Sequence, residues 1–265
     1  MYDFTYSKPN NLADAGRILA NDMDAKALAG GMTFIPVLKQ RLNKPSAIVD
    51  LAGLGLVGIK REAGLLTIAA MTTHGAVAGS SEVRQAIPAL SHLAGHIGDR
   101  QVRYRGTIGG SLANNDPSAC YPAAVLALDA VIKTNQRAIS AADFFQGMFT
   151  TALETAELIT EVSFSIPERA AYVKFANPAS RYAMVGVFVA KTKAGVRVAV
   201  TGAGQNGVFR HFGMEQALET SFLPAALDGV ETQADLMSSD IHGSAAYRAH
   251  LVGVVAKRAV ETALG

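Results

Sequence analysis

Tryptophan is absent from the 265 residues, cysteine occurs once, and charged residues make up only 17%. The lone cysteine, Cys120, can form no internal disulfide. It also argues against an iron–sulfur cluster on this chain, because a cluster takes about four ligands. If the protein handles electrons, an organic cofactor must carry them here, and any metal relay must sit on another chain. With no Trp and 7% aromatics, a base-stacking platform is not expected. The net charge is +2, acids and bases are interspersed, and no basic run fits a nucleic-acid partner. The longest apolar runs, such as Val185-Gly186-Val187-Phe188-Val189-Ala190, are far too short to cross a bilayer. The stretch Met1 to Tyr6 has neither a basic n-region nor an apolar h-region, so no signal peptide is expected and a cytoplasmic address follows. The low charge has two readings. Part of the surface is buried against other subunits, or the alanine-rich makeup simply dilutes the charge.

What is present is apolar residues at 49% and 25 glycines. The length allows one large domain or two ordinary ones. The chain is organised around Arg103-Tyr104-Arg105-Gly106-Thr107-Ile108-Gly109-Gly110-Ser111-Leu112-Ala113-Asn114-Asn115-Asp116-Pro117. Two basic side chains lead into a loop of three glycines and two hydroxyls. Adjacent glycines let a backbone approach another molecule closely. Successive free amides in such a loop form a concave donor site for an anion, usually phosphate. A plain tight turn between strands is the competing reading. A second loop, Gly30-Gly31-Met32-Thr33, leaves the short strand Ala27-Leu28-Ala29 and enters the buried helix predicted from Phe34 to Leu42. Two such loops, far apart in sequence, could clamp the two phosphates of one dinucleotide between two lobes. They could also be unrelated turns.

The periodicities give the rest. A helix runs from Asn11 to Ala20, with Leu12, Ala15, Ile18 and Leu19 on one face and Asn10 or Asn11 as cap. Strands are predicted at 47–50, 57–59 and 65–69, with a turn at Glu62-Ala63-Gly64. Pro88 opens a helix that Gly98 ends. A strand pair follows at 130–133 and 137–139. Leu158 to Ile166 alternates cleanly up to Pro167, and a domain boundary is placed near there. Beyond it lie strands at 172–175, 184–191 and 195–201 and helices around Ala217-Leu218 and from Ala245 to Leu264. Short strands mixed with helices, without regular βα alternation, indicate an α+β fold.

Three motifs point elsewhere and are set aside. Gly202-Ala203-Gly204-Gln205-Asn206-Gly207 fits G-x-G-x-x-G after a strand. Too little chain follows for the usual fold, and Ser221-Phe222-Leu223-Pro224 stands where an acid-ended strand belongs. His92 and His96 are four apart on a helix, but no third metal ligand has useful spacing. Cys120 lacks basic neighbours in sequence that would activate a thiol, so a packed side chain is the reading preferred over a reactive one.

Taken in order, the motifs resemble a family. They are Ala29-Gly30-Gly31-Met32-Thr33, Thr72-Thr73-His74, Ile97-Gly98-Asp99-Arg100-Gln101-Val102-Arg103, Gly106-Thr107-Ile108-Gly109-Gly110-Ser111, Asp116-Pro117, Ser180-Arg181-Tyr182-Ala183-Met184-Val185-Gly186 and Tyr247-Arg248-Ala249-His250-Leu251. The chain resembles, end to end, the medium FAD-binding subunit of molybdenum hydroxylases, the aerobic carbon monoxide dehydrogenase and xanthine dehydrogenase group. The resemblance implies a two-lobed FAD-binding domain of the PCMH type over 1–167, split near 54. A smaller C-terminal domain, with an antiparallel sheet and helices, would follow over 168–265.

It carries Gly30, Gly31, Thr33, Thr107, Gly109, Gly110 and Ser111 onto the FAD pyrophosphate. It places Ile97, Val102 and Ile159 as apolar contacts to the flavin or adenine, with Lys174 near the flavin and Tyr182 approaching it. Ala29, Met32, Phe34, Ile35, Gly98, Gly106, Asn114 and Cys120 complete the implied cofactor-binding set. No residue is singled out as catalytic or as a metal ligand. There are departures: Cys120 stands where the family usually has an Asp that contacts FAD, Met32 replaces a more common polar residue, and Tyr104 stands where Asn is frequent. The implied activity is an oxidoreductase. A molybdenum-cofactor large subunit oxidises a small substrate, and a [2Fe–2S] small subunit relays the electrons. FAD on this chain passes them to a terminal acceptor. The implied assembly is a dimer of heterotrimers. A structural subunit without cofactor is the alternative, with Cys120 as its best support. A free-standing flavin oxidase would need a large substrate domain that the short C-terminal part does not supply.

Overall fold

A computed structural model describes residues 1–265 as three sheets with helices, plus a small hairpin. The first lobe is built from β1 (Thr5–Ser7), α1 (Leu12–Asn21), β2 (Lys26–Leu28), α2 (Phe34–Lys39) and β3 (Ala47–Asp50). Strand β3 is Ala-Ile-Val-Asp, buried over its first three residues, and pairs in parallel with β1 on one side and β2 on the other. Helix α1 starts where the Asn11 side chain accepts from the Asp14 amide at 2.8 Å. Its Ala15 and Leu19, one turn apart, bury against Val49 and Leu51. Leu158, from the next lobe, completes this small core. Helix α2 stops at Lys39, short of the predicted Leu42, and Arg41 takes a left-handed backbone there.

The second lobe holds β4 (Ile59–Glu62), β5 (Leu65–Ala69), α3 (His74–Gly79), α4 (Ser81–Ala86), α5 (Pro88–Gly95), α6 (Arg100–Arg105), α7 (Ile108–Asn114) and α8 (Tyr121–Ala127). It continues with β6 (Val131–Thr134), β7 (Ala138–Ser140), α9 (Ala141–Phe144), the hairpin β8 (Phe145–Gly147) and β9 (Thr150–Thr151), and β10 (Ile159–Ser165). The sheet order is β4-β5-β10-β6-β7, so the last strand lies at the centre, antiparallel to both neighbours. That is why its alternation is clean: Val162 and Phe164 are fully buried. Burying each contributes about 1.5–3 kcal/mol. Helix α5 ends at Gly95, not at Gly98; Gly98 sits in the following turn with φ +52°. The first strand of the sheet begins at Ile59, because Gly58 takes φ +148°.

After Pro167 come β11 (Arg169–Ala176), β12 (Ala183–Thr192), β13 (Gly195–Thr201), β14 (Phe209–Arg210), α10 (Phe212–Thr220) and α11 (Ala245–Leu264). The four strands are antiparallel in chain order. Strand β12 is buried over its first eight residues because both faces of this sheet are covered. Phe188 and Ala190 join the second lobe's core, while Val185, Val187 and Val189 face α11. Helix α10 is longer than its expected core at Ala217-Leu218 and starts where the His211 ring accepts from the Met214 amide. An antiparallel sheet rules out the nucleotide-binding reading of Gly202 to Gly207. There, Gly202 turns the chain with φ +82°, and its carbonyl accepts from the buried Arg248. No helix is long and apolar enough to cross a membrane.

Candidate functional site

A cavity of about 930 Å³ runs between the first lobe, the second lobe and the start of the C-terminal sheet. That lies toward the upper end of the range for small-molecule sites, about 300–1,000 Å³. Its floor is the pair of glycine turns. In the first, Gly31 takes φ +75°, a conformation glycine adopts without strain. None of the amides of Gly30, Gly31, Met32, Thr33 and Phe34 donates a hydrogen bond within the protein. The Thr33 hydroxyl is also uncommitted, since it does not cap α2. Five successive free N–H groups make a concave donor surface suited to an anion.

The second turn is built differently from the sequence expectation. Gly106 to Ser111 is not a loop of free amides; from Ile108 it is the first turn of α7. The Ile108 amide donates to Thr72 O at 3.1 Å and the Gly109 amide to Ala70 O at 2.8 Å. The Gly110 amide donates to Thr107 Oγ1 at 3.1 Å, and the Ser111 amide to Thr107 O at 3.0 Å. Gly109 is small because Ala70 lies against it: a Cβ there would stand 2.6 Å from the Ala70 Cβ. This turn therefore offers hydroxyls rather than amides. Ser111 Oγ has no protein partner, and Thr107 retains a donor while its oxygen caps the helix. The two turns touch, with Gly30 against Arg105 and Gly106, and Gly110 against Ala29.

Above the turns, Ile97, Gly98, Val102 and Ile159 give apolar wall. Asn114, Met32 and Phe34 line it nearer the turns. At the opposite wall Lys174 Nζ donates to His96 O at 2.6 Å and Arg181 O at 3.0 Å, and lies 3.7 Å from Cys120 Sγ. Cys120 is buried, as expected, but a basic group absent from its sequence neighbourhood stands beside it in space. Tyr182 is half-exposed on the rim. Its hydroxyl pKa is raised by burial and by nearby Asp116. Burial likewise raises the Asp116 carboxyl above the usual carboxylate range.

Nineteen of the twenty predicted site residues line this one cavity. Ile35 does not; its Cδ1 packs beneath Gly31 instead. Sequence reasoning missed several wall residues. His74 is 5% exposed, and burial together with Arg103 holds its imidazole down to about 4. Glu157 is held at about 2 by Arg137, whose Nε and Nη2 both reach it at 3.0 Å, helped by the Glu154 amide and Thr134. Phe149, at the tip of the β8–β9 hairpin, takes φ +55° and reaches the cavity. His74 sits in a quoted motif, after the capping Thr73; nothing local marks Glu157 or Phe149. His92 and His96 are exposed with rings 4.1 Å apart, and no group of three metal-ligating side chains surrounds them.

Residues 2–168 match the family described as "FAD binding domain in molybdopterin dehydrogenase". The chain is 34% identical to the carbon monoxide dehydrogenase medium chain of Afipia carboxidovorans, over 98% of this chain and 96% of that one. It is 33% identical to the nicotine 6-hydroxylase medium subunit of Paenarthrobacter nicotinovorans, over 96% and 95%. The fold is similar to a chain of the Cu,Mo-CO dehydrogenase crystallised in its cyanide-inactivated form, with a TM-score of 0.90, 33% identity and 99% and 98% of the two chains covered. With the match spanning most of the chain, this protein belongs to the family of FAD-binding medium subunits of the molybdenum hydroxylases, oxidoreductase subunits whose cofactor is FAD.

Proposed function

We propose that FAD lies in the cavity with its diphosphate over the contact between the two glycine turns. The observation that carries this is the row of five uncommitted amides, Gly30 to Phe34, facing a wall of Thr107 and Ser111 hydroxyls. Bound there, the flavin supplies the electron chemistry; the protein supplies binding, orientation and electrostatics. The amides of the first turn donate to phosphate oxygens, and Ser111 and Thr107 donate from the other side. Ile97, Val102 and Ile159 exclude water from the rings. Lys174, fixed by two carbonyls, sets a positive charge at the far wall. Cys120 lies on the wall without closing the cavity, so its presence does not favour a subunit without cofactor.

In the same reading the chain works in a complex with a molybdenum-cofactor large subunit and a [2Fe–2S] small subunit. One cysteine is too few to hold a cluster, so the electrons must arrive from another chain. Assembly as a dimer of heterotrimers, a cytoplasmic address and the division into 1–167 (split near 54) and 168–265 belong to the same proposal. A chain with a single thiol suits a reducing compartment. The test is the absorption spectrum and FAD content of the purified chain and of the complex drawn from native cells. One FAD per chain, with molybdenum and iron on co-purifying subunits, is expected. A chain that stays colourless when given FAD, or one isolated without partners yet fully active on a small substrate, overturns it.

A further inference from the structure

His74 opens α3, held by the Thr73 cap, and its amide donates to Gly106 O at 2.9 Å. That bond pins the second glycine turn from behind. The ring does something separate. Its Nδ1 is sealed from solvent and has no partner. Its Nε2 has no protein partner either, but is not sealed in this way. The Nε2 edge is turned toward Gly106 on the cavity wall: a Cβ on that glycine would stand 2.5 Å from Nε2. Gly106 in turn packs against Gly30, so this ring edge emerges where the two turns meet.

A neutral imidazole carries one proton on one of two nitrogens. A buried N–H without an acceptor is rarer, and costlier, than a buried lone pair without a donor. The sealed, unpartnered Nδ1 therefore keeps its lone pair, and the proton resides on Nε2. That leaves a fixed, uncharged donor aimed at the junction of the turns. We propose that His74 Nε2–H is a positioning donor to the diphosphate of the bound dinucleotide, a third contact beside the free amides of the first turn and the hydroxyls of the second. The proposal rests on the placement of FAD argued above.

The test uses the full chain stripped of FAD, titrated with FAD and with ADP by fluorescence and calorimetry. His74→Phe keeps the ring volume and removes the donor. It is expected to weaken FAD and ADP alike by about tenfold, as loss of a hydrogen bond to a charged group does. His74→Gln, which can present an amide donor near the Nε2 position, is expected to stay within about threefold of the wild type. The melting temperature of the stripped His74→Gln chain should match that of the wild type. Unchanged affinity in His74→Phe overturns the proposal, and so does a loss in His74→Gln as large as in His74→Phe. Nitrogen NMR of the wild-type chain tests it without any variant: the proton is expected on Nε2, and a proton found on Nδ1 overturns it. A wild-type chain that binds neither FAD nor ADP instead removes the placement of FAD, so the two failures are told apart.

Discussion

Gly30 lies flat against the carbonyl of Arg105: a Cβ on it would stand 2.1 Å from that oxygen and 2.8 Å from Gly106 Cα. Residues far apart in sequence thus form one floor, and no side chain fits between them. Gly30→Ala is expected to force the turns apart, costing about 1–3 kcal/mol of stability as overpacking does and most of the bound FAD. Gly79→Ala, at the end of α3 where a Cβ meets nothing within 4 Å, is the control: it should leave the bound FAD unchanged and, if anything, raise stability by up to about 1 kcal/mol. Melting temperature and the ratio of flavin to protein absorbance read the two effects. Retained stoichiometric FAD in Gly30→Ala would show that the floor does not depend on this contact.

Asn115 ties the end of α7 to the hairpin that carries Phe149. Its backbone is left-handed, and its Nδ2 donates to Gly147 O at 2.7 Å and Thr150 O at 2.8 Å. Its own carbonyl accepts from the Phe149 amide at 3.0 Å. Asn115→Ala removes both side-chain bonds and puts a less tolerant residue at a left-handed position. The expected loss is about 2–4 kcal/mol, combining two lost part-buried hydrogen bonds with the left-handed backbone term. Asn115→Gly should recover only the backbone part. Hydrogen exchange at Phe149 is expected to quicken in both variants, because both release the hairpin; unchanged protection there would disprove the tie.

The Glu157 carboxylate titrates at about 2 when folded and near 4.3 when unfolded. The lowered folded value means the unfolded chain takes up its proton first as the pH falls. Stability from this group is therefore complete above about pH 4.3 and is lost between there and pH 2. Arg137 is the main cause, so Arg137→Met should flatten that part of the melting-temperature curve as well as lower the whole of it. Equal slopes in the two proteins between pH 4.3 and 2 would assign the acid sensitivity to other carboxylates. Functionally, the pair braces the segment from Leu153 to Ile159, one wall of the cavity.

The parts of this site legible in the sequence are those whose causes are local. Gly30-Gly31 between a short strand and a helix announces a turn, and Asn11 announces a cap. The second turn was legible as a place but not as a structure. Gly109 and Gly110 are poor helix formers, and the carbonyls of Ala70 and Thr72 that take up their neighbourhood's amides come from a distant segment. Lys174 meets Cys120 across 54 residues, and β10 finds its central place only by pairing with β5 and β6. Such pairings carry no mark in the residues themselves. Ile35, placed in the cofactor-binding set by the resemblance, packs its Cδ1 against Gly31, a contact nothing in the local sequence marks.

The asymmetry between the turns gives the last prediction. Thr107 Oγ1 accepts from the Gly110 amide and so holds α7 as well as facing the cavity. Ser111 Oγ holds nothing within the protein. Thr107→Val should lose a helix cap, costing about 0.5–2 kcal/mol, and weaken FAD binding together. Ser111→Ala should leave the melting temperature of the stripped chain within about 0.5 kcal/mol equivalent of the wild type, as substitutions that break no internal contact do. Its FAD dissociation constant should nevertheless rise by about tenfold, the worth of one hydrogen bond to a charged group. Measuring both constants against both melting curves separates structure from binding. If Ser111→Ala binds FAD as the wild type does, Ser111 gives the diphosphate no hydrogen bond, and Thr107 is left as the second turn's only hydroxyl donor.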